Sequence, residues 1–177
     1  MSHHRTLADT PFPGDDGQPD PTVRARLVSA AASGKTDDYL RAVAELCAVR
    51  LLVPVVATTT VEGVTSGGLA SDKEAEMAVV LLQAPDGSRA MVAFTGMDTL
   101  TNWNTDARPV PVTLDLAAAS ARQEDAAALL IDVNSQHPLA IDGEILDQLA
   151  QGHRLVDIGG GEFGWAIEER GSGPGAG

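Results

Sequence analysis

The stretch RAMVAFTGMDTLTNW, residues 89–103, passes from an apolar run into a polar turn and then into a second periodic pattern. Residues 89–94 are apolar after the first arginine, which predicts a buried strand. Three apolar residues then recur at intervals of three, as on one face of a short helix: Met97, Leu100 and Trp103. We therefore predict a strand, a turn and a helix, with Thr95 or Asp98 capping the helix and Trp103 packed on the sheet.

Several other apolar runs predict the rest of a sheet. Residues 77–82 pair with residues 89–94 as a hairpin, because the intervening Asp86-Gly87 favours a tight turn. Pro54 lies inside another run and predicts an edge position or a bulge, since proline cannot donate a ladder hydrogen bond. The remaining strands alternate with helical patterns, which indicates parallel crossovers: residues 51–57, 110–112, 128–133 and 139–141. The expected fold class is α/β (α+β), a single domain with a mixed sheet of about five or six strands, an antiparallel hairpin plus parallel crossovers, flanked by helices.

The two ends of the chain differ from its periodic middle. Residues 1–20 are rich in Pro, Gly and Asp without an apolar period, which predicts a disordered leader. Asp20 and Pro21 favour a helix start, because Asp caps helices and Pro suits the first helical position. The domain is expected over residues 21–158. Residues 159–177 are expected to be a Gly-rich acidic tail, mostly disordered, although an alternation within it fits a small extra strand: Phe163, Trp165 and Ile167.

The composition restricts the classes of partner. The 177 residues carry 25 acidic and 12 basic side chains, a net charge of −13. Nucleic acids and anionic membrane surfaces are recognised by basic faces, so we expect neither as a partner and expect an unidentified protein instead. The single cysteine, Cys47, excludes an intramolecular disulfide and a zinc site of several cysteines. The start lacks the apolar core of a secretory signal and no apolar run approaches the ~20 residues of a membrane span, so a cytoplasmic location is expected.

The polar turn provides the candidate site. Thr95, Gly96, Asp98 and Asn102 lie in or after it, and Asp132 lies near the end of the strand at residues 128–133. If these two strands are neighbours, Thr95, Asp98 and Asp132 share one edge of the sheet, where α/β proteins bind ligands. The neighbouring sequence offers this edge no cation or histidine, so a purely structural turn is the competing interpretation. We find no Gly-x-Ser-x-Gly motif and expect no catalytic residue, metal or cofactor.

Six short segments, taken in order, resemble the SseB-like family, specifically its N-terminal domain. They are Asp38-Tyr39-Leu40, Arg50-Leu51-Leu52-Val53-Pro54-Val55, Glu76-Met77-Ala78-Val79-Val80, Pro85-Asp86-Gly87, Val92-Ala93-Phe94-Thr95 and Arg108-Pro109-Val110-Pro111-Val112. The resemblance covers roughly residues 22–157. It implies a compact α/β domain of poorly defined role, in a family named for enhanced serine sensitivity, and it carries over no catalytic residues. Longer members have a second, C-terminal domain that this chain does not show.

Three functions remain open at this point. The first is a non-catalytic cytoplasmic protein that binds another protein, which requires an exposed apolar patch. The second is a small-molecule sensor that uses the Thr95–Asp98 edge, with the long polar loop of residues 58–76 as a lid, and it requires a pocket beside Gly96. The third is a metal-assisted enzyme, which requires Asp98 and Asp132 to converge on one ion. The sequence sets no oligomeric state.

Overall fold

The computed structural model describes residues 12–58 and 76–168. Five helices lie in these ranges: α1 (Pro21–Ser33), α2 (Thr36–Leu46), α3 (Met97–Trp103), α4 (Leu114–Gln123) and α5 (Gly143–Ala150). Nine strands accompany them: β1 (Arg50–Thr58), β2 (Glu76–Val79), β3 (Leu81–Gln83), β4 (Arg89–Ala93), β5 (Arg108–Thr113), β6 (Ala128–Ile131), β7 (Leu139–Asp142), β8 (Arg154–Gly159) and β9 (Glu162–Ala166). No helix within the described ranges has the length and apolarity needed to cross a bilayer.

The strands form three sheets. In the first, β1 lies between β2 and β5 and is antiparallel to both. The second has the order β3-β4-β6-β7 and contains the predicted antiparallel hairpin of β3 and β4. The third is the hairpin of β8 and β9. Leu52 and Phe94 connect the first two sheets by two backbone hydrogen bonds of 2.8 Å. The α+β class is confirmed, although its strands are divided among three sheets.

Several parallel strand pairs were predicted, but the described strands contain one, β4 with β6. After β4 and α3 the chain turns back in β5, which pairs antiparallel with β1 from Arg50↔Thr113 to Val55↔Arg108. Helix α4 then returns the chain to β6, beside β4. The alternation of strands and helices is therefore as predicted, but β5 belongs to the other sheet.

Pro54 lies in an inner strand, so the predicted edge position is wrong. On the side of β1 away from β5, Leu52 hydrogen-bonds Phe94, and the pairing with β2 begins at Val55. Alternate residues of a strand direct their N–H groups to the same side, so position 54 faces the gap between these two pairings. Proline lacks an N–H, and in this gap it interrupts no ladder hydrogen bond.

Both faces of the central strands are buried, which explains their continuous apolar sequence. Alternate residues belong to different clusters: Leu51 and Met91 face the larger one, while Leu52 and Val92 face the smaller one. The larger cluster is covered by α1, α2, α4 and α5. The smaller cluster lies under α3 and is completed by three further side chains: Phe94, Leu100 and Ala107. Trp103 packs there as predicted, with its ring centroid 5.4 Å from that of Phe94.

The ends of the domain differ from the predicted boundaries. Asp20 does cap α1, since its carboxylate accepts hydrogen bonds from the amides of Thr22 and Val23. Within the predicted disordered leader of residues 1–20, Asp15, Gly17 and Gln18 hydrogen-bond to the domain, as described below. At the other end β9 confirms the small extra strand and extends the structure past residue 159. Residues 1–11, 59–75 and 169–177, which include most of the predicted lid and about half of the predicted tail, lie outside the described residues.

Candidate functional site

Asp132 is the centre of the predicted edge. It follows β6 directly and is only 1% exposed. Because β6 runs parallel to β4, its end lies beside the end of β4, and the Asp132 amide donates to the carbonyl of Ala93. The Asp132 carboxylate accepts three hydrogen bonds, from the Thr95 amide at 2.8 Å, the Thr95 hydroxyl at 2.6 Å and the Thr99 hydroxyl at 2.7 Å. The sequence-based prediction that Thr95 and Asp132 share one edge is confirmed.

Arg24 of α1 supplies the cation that the local sequence does not show. Its Nε donates to the Thr95 hydroxyl at 2.7 Å and lies 3.5 Å from the Asp132 carboxylate. Its two Nη atoms donate to both oxygens of Asp98, at 3.0 and 2.7 Å. This hydrogen bonding holds the pKa of Asp98 below its ordinary value of 3.8. The expectation of no nearby cation is thus wrong, because α1 reaches the edge from more than 70 residues away in sequence.

A second arginine, Arg50 at the start of β1, joins the edge to the segment before α1. Its Nη1 donates to the Thr95 carbonyl at 2.6 Å, and its Nη2 donates to the Gln18 carbonyl at 2.9 Å. Nε and Nη2 also contact both carboxylate oxygens of Asp15, at 2.6 and 2.8 Å. The hydrogen bond from Arg50 lowers the pKa of Asp15 from its ordinary 3.8. Sequence reasoning missed this pair as well.

Gly96 is needed at this edge because there is no room for a side chain. Its backbone is extended, so its conformation alone does not require glycine. However, a Cβ at Gly96 would lie 2.9 Å from the ring of Pro19 and 2.7 Å from the Asp98 carboxylate. The next residue, Met97, donates its amide to the Gly17 carbonyl at 2.8 Å. The segment before α1 therefore lies directly over the start of α3.

The predicted cap of α3 is wrong, since the N-cap is Gly96 and no side chain caps the helix. Thr95 and Asp98 instead direct their side chains to Asp132 and Arg24. Asn102, the remaining predicted site residue, lies exposed on α3, and its side chain forms no hydrogen bond with any described residue. The structure thus brings together Thr95, Gly96, Asp98 and Asp132, but not Asn102.

The chemistry of this edge is that of a closed hydrogen-bond network. The two predicted carboxylates converge on the guanidinium of Arg24 rather than on a space between them. The Thr95 hydroxyl donates to Asp132 and accepts from Arg24, so both of its roles are occupied. Within the described ranges, no buried side-chain polar atom lacks a partner and no three acidic, His or Cys residues are grouped to hold a metal. Such a network fixes the geometry of the strand ends.

A second surface lies elsewhere, between α1, α2 and β8. It is a concavity of about 330 Å³ whose lining includes Arg26, Arg41 and Arg154, one arginine from each element. Its other lining residues are mostly apolar: Ala44, Cys47, Ala48, Leu155 and Val156, with Glu45 and Asp157. Cys47 is buried, and burial raises the pKa of its thiol. Sequence reasoning did not find this surface; the charged residues on either side of the adjacent Leu155 and Val156 were its only signal.

The Asp15–Arg50 pair predicts a specific pH dependence. Because folding lowers the pKa of Asp15 below 3.8, its stabilising contribution is complete above that value and is lost as the pH falls through the folded pKa. We expect Asp15→Asn to be less stable than the wild type at about pH 7, and the difference to shrink progressively as the pH falls below about 3.8. Urea denaturation of both proteins across this range measures it. The other carboxylates titrate in both proteins, so a difference that does not depend on pH would contradict the assignment.

Comparison with known proteins places the chain in a family. The family model of the SseB protein N-terminal domain matches residues 23–148, which span α1 to α5 and include the Arg24–Asp132 network. The comparisons match no curated protein and no solved structure. The matched region ends before β8, so the β8–β9 hairpin lies outside it. Because the match covers more than half of the 177 residues, the chain belongs to the family of the SseB protein N-terminal domain.

Proposed function

We propose that the protein is a non-catalytic cytoplasmic module that binds another protein through the outer face of the β8–β9 hairpin. The observation that carries this proposal is an exposed apolar surface on β8. Val156 is 40% exposed, and Ile158, two residues further along β8 at the register irregularity between Asp157 and Gly159, is 64% exposed. The cross-strand neighbour of Val156 is Gly164, which has no side chain to cover it. Exposed apolar groups that lie together commonly mark protein-binding surfaces.

The architecture of the hairpin supports the same role. Its inner face carries Leu155, Phe163 and Trp165, which pack against the larger core cluster and hold the hairpin in place. Its outer face is left without a covering element among the described residues. Strand β9 has β8 as its only described neighbour, so its other edge presents unpaired backbone groups. A rigid hairpin with an apolar face and a free edge is suited to binding an extended segment of a partner.

The Thr95–Asp98 edge supports a non-catalytic role. Thr95 and Asp132 are 2% and 1% exposed, and Pro19 covers Gly96. A catalytic carboxylate pair would need a substrate or an ion between Asp98 and Asp132, where the Arg24 guanidinium lies. We therefore assign partner binding to the hairpin, and the recognition role predicted for the Thr95–Asp98 edge stays a prediction.

A small-molecule site is the second candidate, because a cavity of about 350 Å³ lies beside Thr95. It is open to solvent and bordered by the segment before α1 and by Arg50, and it is at the lower end of the ~300–1,000 Å³ typical of ligand pockets. A thermal-shift screen of metabolites against the wild type and Arg50→Gln tests it. A compound that stabilises the wild type alone would favour this candidate over partner binding.

The test of the proposed function is quantitative affinity capture from native cell lysate. The bait is the full chain, compared with the double variant Val156→Asp and Ile158→Asp. Leu116→Asp is the matched control, since Leu116 is 57% exposed on α4 and receives the same change. We expect the double variant to lose a partner that the wild type and the control retain, by about tenfold or more in recovered amount. All three baits must show the same urea midpoint.

Two results would contradict the proposal. If no protein is enriched on the wild-type bait relative to an unrelated bait, the result contradicts partner binding as the function of this protein. If a partner is enriched equally on the wild type and on the double variant, the protein binds partners but the hairpin is not the surface. Each result leaves the fold and the Arg24–Asp132 network unaffected.

A further inference from the structure

We propose that the strand ends carry a binding site for an acidic segment of another protein, and that residues 15–19 of this chain fill the site in its absence. We call residues 15–19 the strap. The site that holds the strap consists of the Arg50 guanidinium, the Met97 amide and the surface of Gly96. It includes no residue of the β8–β9 hairpin, so the inference goes beyond the proposed function.

The contacts of the strap show which chemistry the site holds. Nε and Nη2 of Arg50 donate to the two carboxylate oxygens of Asp15, at 2.6 and 2.8 Å. Nη2 also donates to the Gln18 carbonyl at 2.9 Å, and the Met97 amide donates to the Gly17 carbonyl at 2.8 Å. A forked arginine–carboxylate pair combined with hydrogen bonds to backbone carbonyls recognises a peptide rather than a free anion. The occupant of the site is therefore a peptide segment that carries a carboxylate.

Two further positions of the strap define the sequence that fits. Gly17 has a φ of 77°, and a Cβ at this position would lie 2.5 Å from Cγ of Met97, so glycine is required there. Pro19 lies over Gly96, where a Cβ would come within 2.9 Å of the proline ring. The site thus fits a carboxylate, a glycine two residues later and a proline two residues after the glycine, as in Asp15-Asp16-Gly17-Gln18-Pro19.

The strap is held by surface contacts alone, so it can leave the domain without unfolding it. None of residues 15–19 is buried, and a cavity of about 350 Å³ that is open to solvent remains beside them. Segments with few buried apolar contacts open at a lower free energy than the core. The hydrogen-bond network of Arg24, Thr95 and Asp132 contains no strap residue, so it still holds the strand ends when the strap is open.

Opening of the strap leaves Arg50 without a carboxylate. Among the described residues, Asp15 is the one acidic residue that forms an ion pair with Arg50, whose side chain is 10% exposed beneath the strap. Without the strap, Nη1 keeps the Thr95 carbonyl, whereas the donors of Nε and Nη2 lose their acceptors. An acidic segment of another protein restores these hydrogen bonds. The strap and the partner therefore compete for one arginine.

The experiment follows the full chain by heteronuclear NMR in an open variant that combines Asp15→Asn with Gly17→Ala. The first change removes the carboxylate, and the second places a Cβ against Met97. The titrant is a peptide with the sequence of residues 12–20, blocked at both ends. We expect it to move the Met97 amide and Arg50 Nε signals of the open variant towards their wild-type positions. Its affinity for the wild type should be lower by about tenfold or more, because the tethered strap competes at a high effective concentration.

Two altered peptides of equal charge test the chemistry of the site. The peptide change Asp15→Asn removes the carboxylate that Arg50 binds, and we expect the affinity for the open variant to fall about tenfold. The peptide change Asp16→Asn is the matched control, since the Asp16 carboxylate accepts from the Gln18 amide within the strap. It should lower the affinity about twofold or less, the effect of an exposed charge.

Movement of both signals by the unaltered peptide, weakened by Asp15→Asn and not by Asp16→Asn, supports the site. No movement, equal weakening by the two peptide changes, or equal affinity for the wild type and the open variant would overturn it. An open variant that is unfolded by circular dichroism would also overturn it, because the strap would then be part of the fold and could not give way to a partner. None of these results bears on the hairpin, which the Val156 and Ile158 variant tests separately.

Discussion

Replacing Asp132 with alanine is expected to lower the free energy of unfolding by about 3–5 kcal/mol, the range for removing one partner of a buried charged cluster. The Asp132 carboxylate accepts hydrogen bonds from the amide and hydroxyl of Thr95 and from the hydroxyl of Thr99. Alanine leaves these donors without an acceptor at a position that is 1% exposed, so bulk water does not replace it. Arg24 also loses one of the two carboxylates that it contacts.

Urea denaturation followed by tryptophan fluorescence measures this loss, and the chain contains a matched control. Asp125 and Asp132 both have positive φ, 55° and 50°, so alanine introduces similar backbone strain at either position. The Asp125 side chain is 88% exposed, and its ion pair with Arg89 spans 3.8 Å. Asp125→Ala is therefore expected to cost no more than about 1–2 kcal/mol, because aspartate and alanine both carry a Cβ and alanine loses only the local polar contacts by which Asp tolerates this conformation. The additional loss of unfolding free energy in Asp132→Ala measures the contribution of the hydrogen-bond network.

Asp132→Asn separates the charge of the side chain from its shape. The amide oxygen still accepts, but the amide nitrogen of asparagine meets donors where an oxygen was required. We expect an intermediate loss of about 1–3 kcal/mol. If Asp132→Ala costs no more than Asp125→Ala, the network does not stabilise the strand ends. The edge would then be a better candidate for function than for structure.

The core of this network was predictable from the sequence, because it depends on strand order. Thr95 and Asp132 each follow an apolar run, and parallel neighbours bring such strand ends together. The prediction required only that β4 and β6 be adjacent, and they are the parallel pair. The burial of Trp103 was predictable for a similar reason, since a short helical stripe must cover the strand that precedes it.

Arg24 and Arg50 were not predictable in the same way. The local sequence pattern around each arginine predicts the element that contains it but not the partners of its side chain. Arg24 lies one turn after the Asp20 cap of α1, and Arg50 lies at the first position of β1. Their partners are 74 and 35 residues away, so the contacts depend on how α1 and the preceding segment pack on the edge. The composition of residues 12–20 is that of a disordered leader. It therefore does not indicate that Asp15, Gly17 and Pro19 contact the domain.

The exposed hairpin face was missed because periodicity does not indicate which face of a strand is covered. Leu155 and Val156 are adjacent apolar residues, yet Leu155 is 5% exposed and Val156 is 40% exposed. The difference arises because Leu155 faces the core and Val156 faces solvent opposite Gly164. A pattern of apolar residues thus predicts a strand, whereas a surface that binds a partner becomes visible only when the remaining elements are placed.

Replacing Phe94 with alanine is expected to lower the free energy of unfolding by about 3–5 kcal/mol, because the change leaves a cavity in a fully packed site. Phe94 is 0% exposed and is the largest fully buried side chain of the smaller core cluster. It is also the residue whose backbone joins the two larger sheets through Leu52. The loss of its ring removes the aromatic partner of Trp103 at 5.4 Å, so Trp103 should become more exposed to water.

Two readouts distinguish a packing loss from a general loss of structure. Urea denaturation gives the free energy, and the emission maximum of Trp103, recorded in a Trp165→Phe background, should shift to longer wavelength in the folded state. Phe163→Ala is the matched control: Phe163 is half-buried in the β8–β9 hairpin, so the same change should cost less than in Phe94→Ala and leave Trp103 emission unchanged. A small cost in Phe94→Ala with unchanged emission would mean that α3 is held by the polar network alone. A large cost with a red shift would show that the apolar cluster holds α3 over the strand ends, beside the Asp132 network.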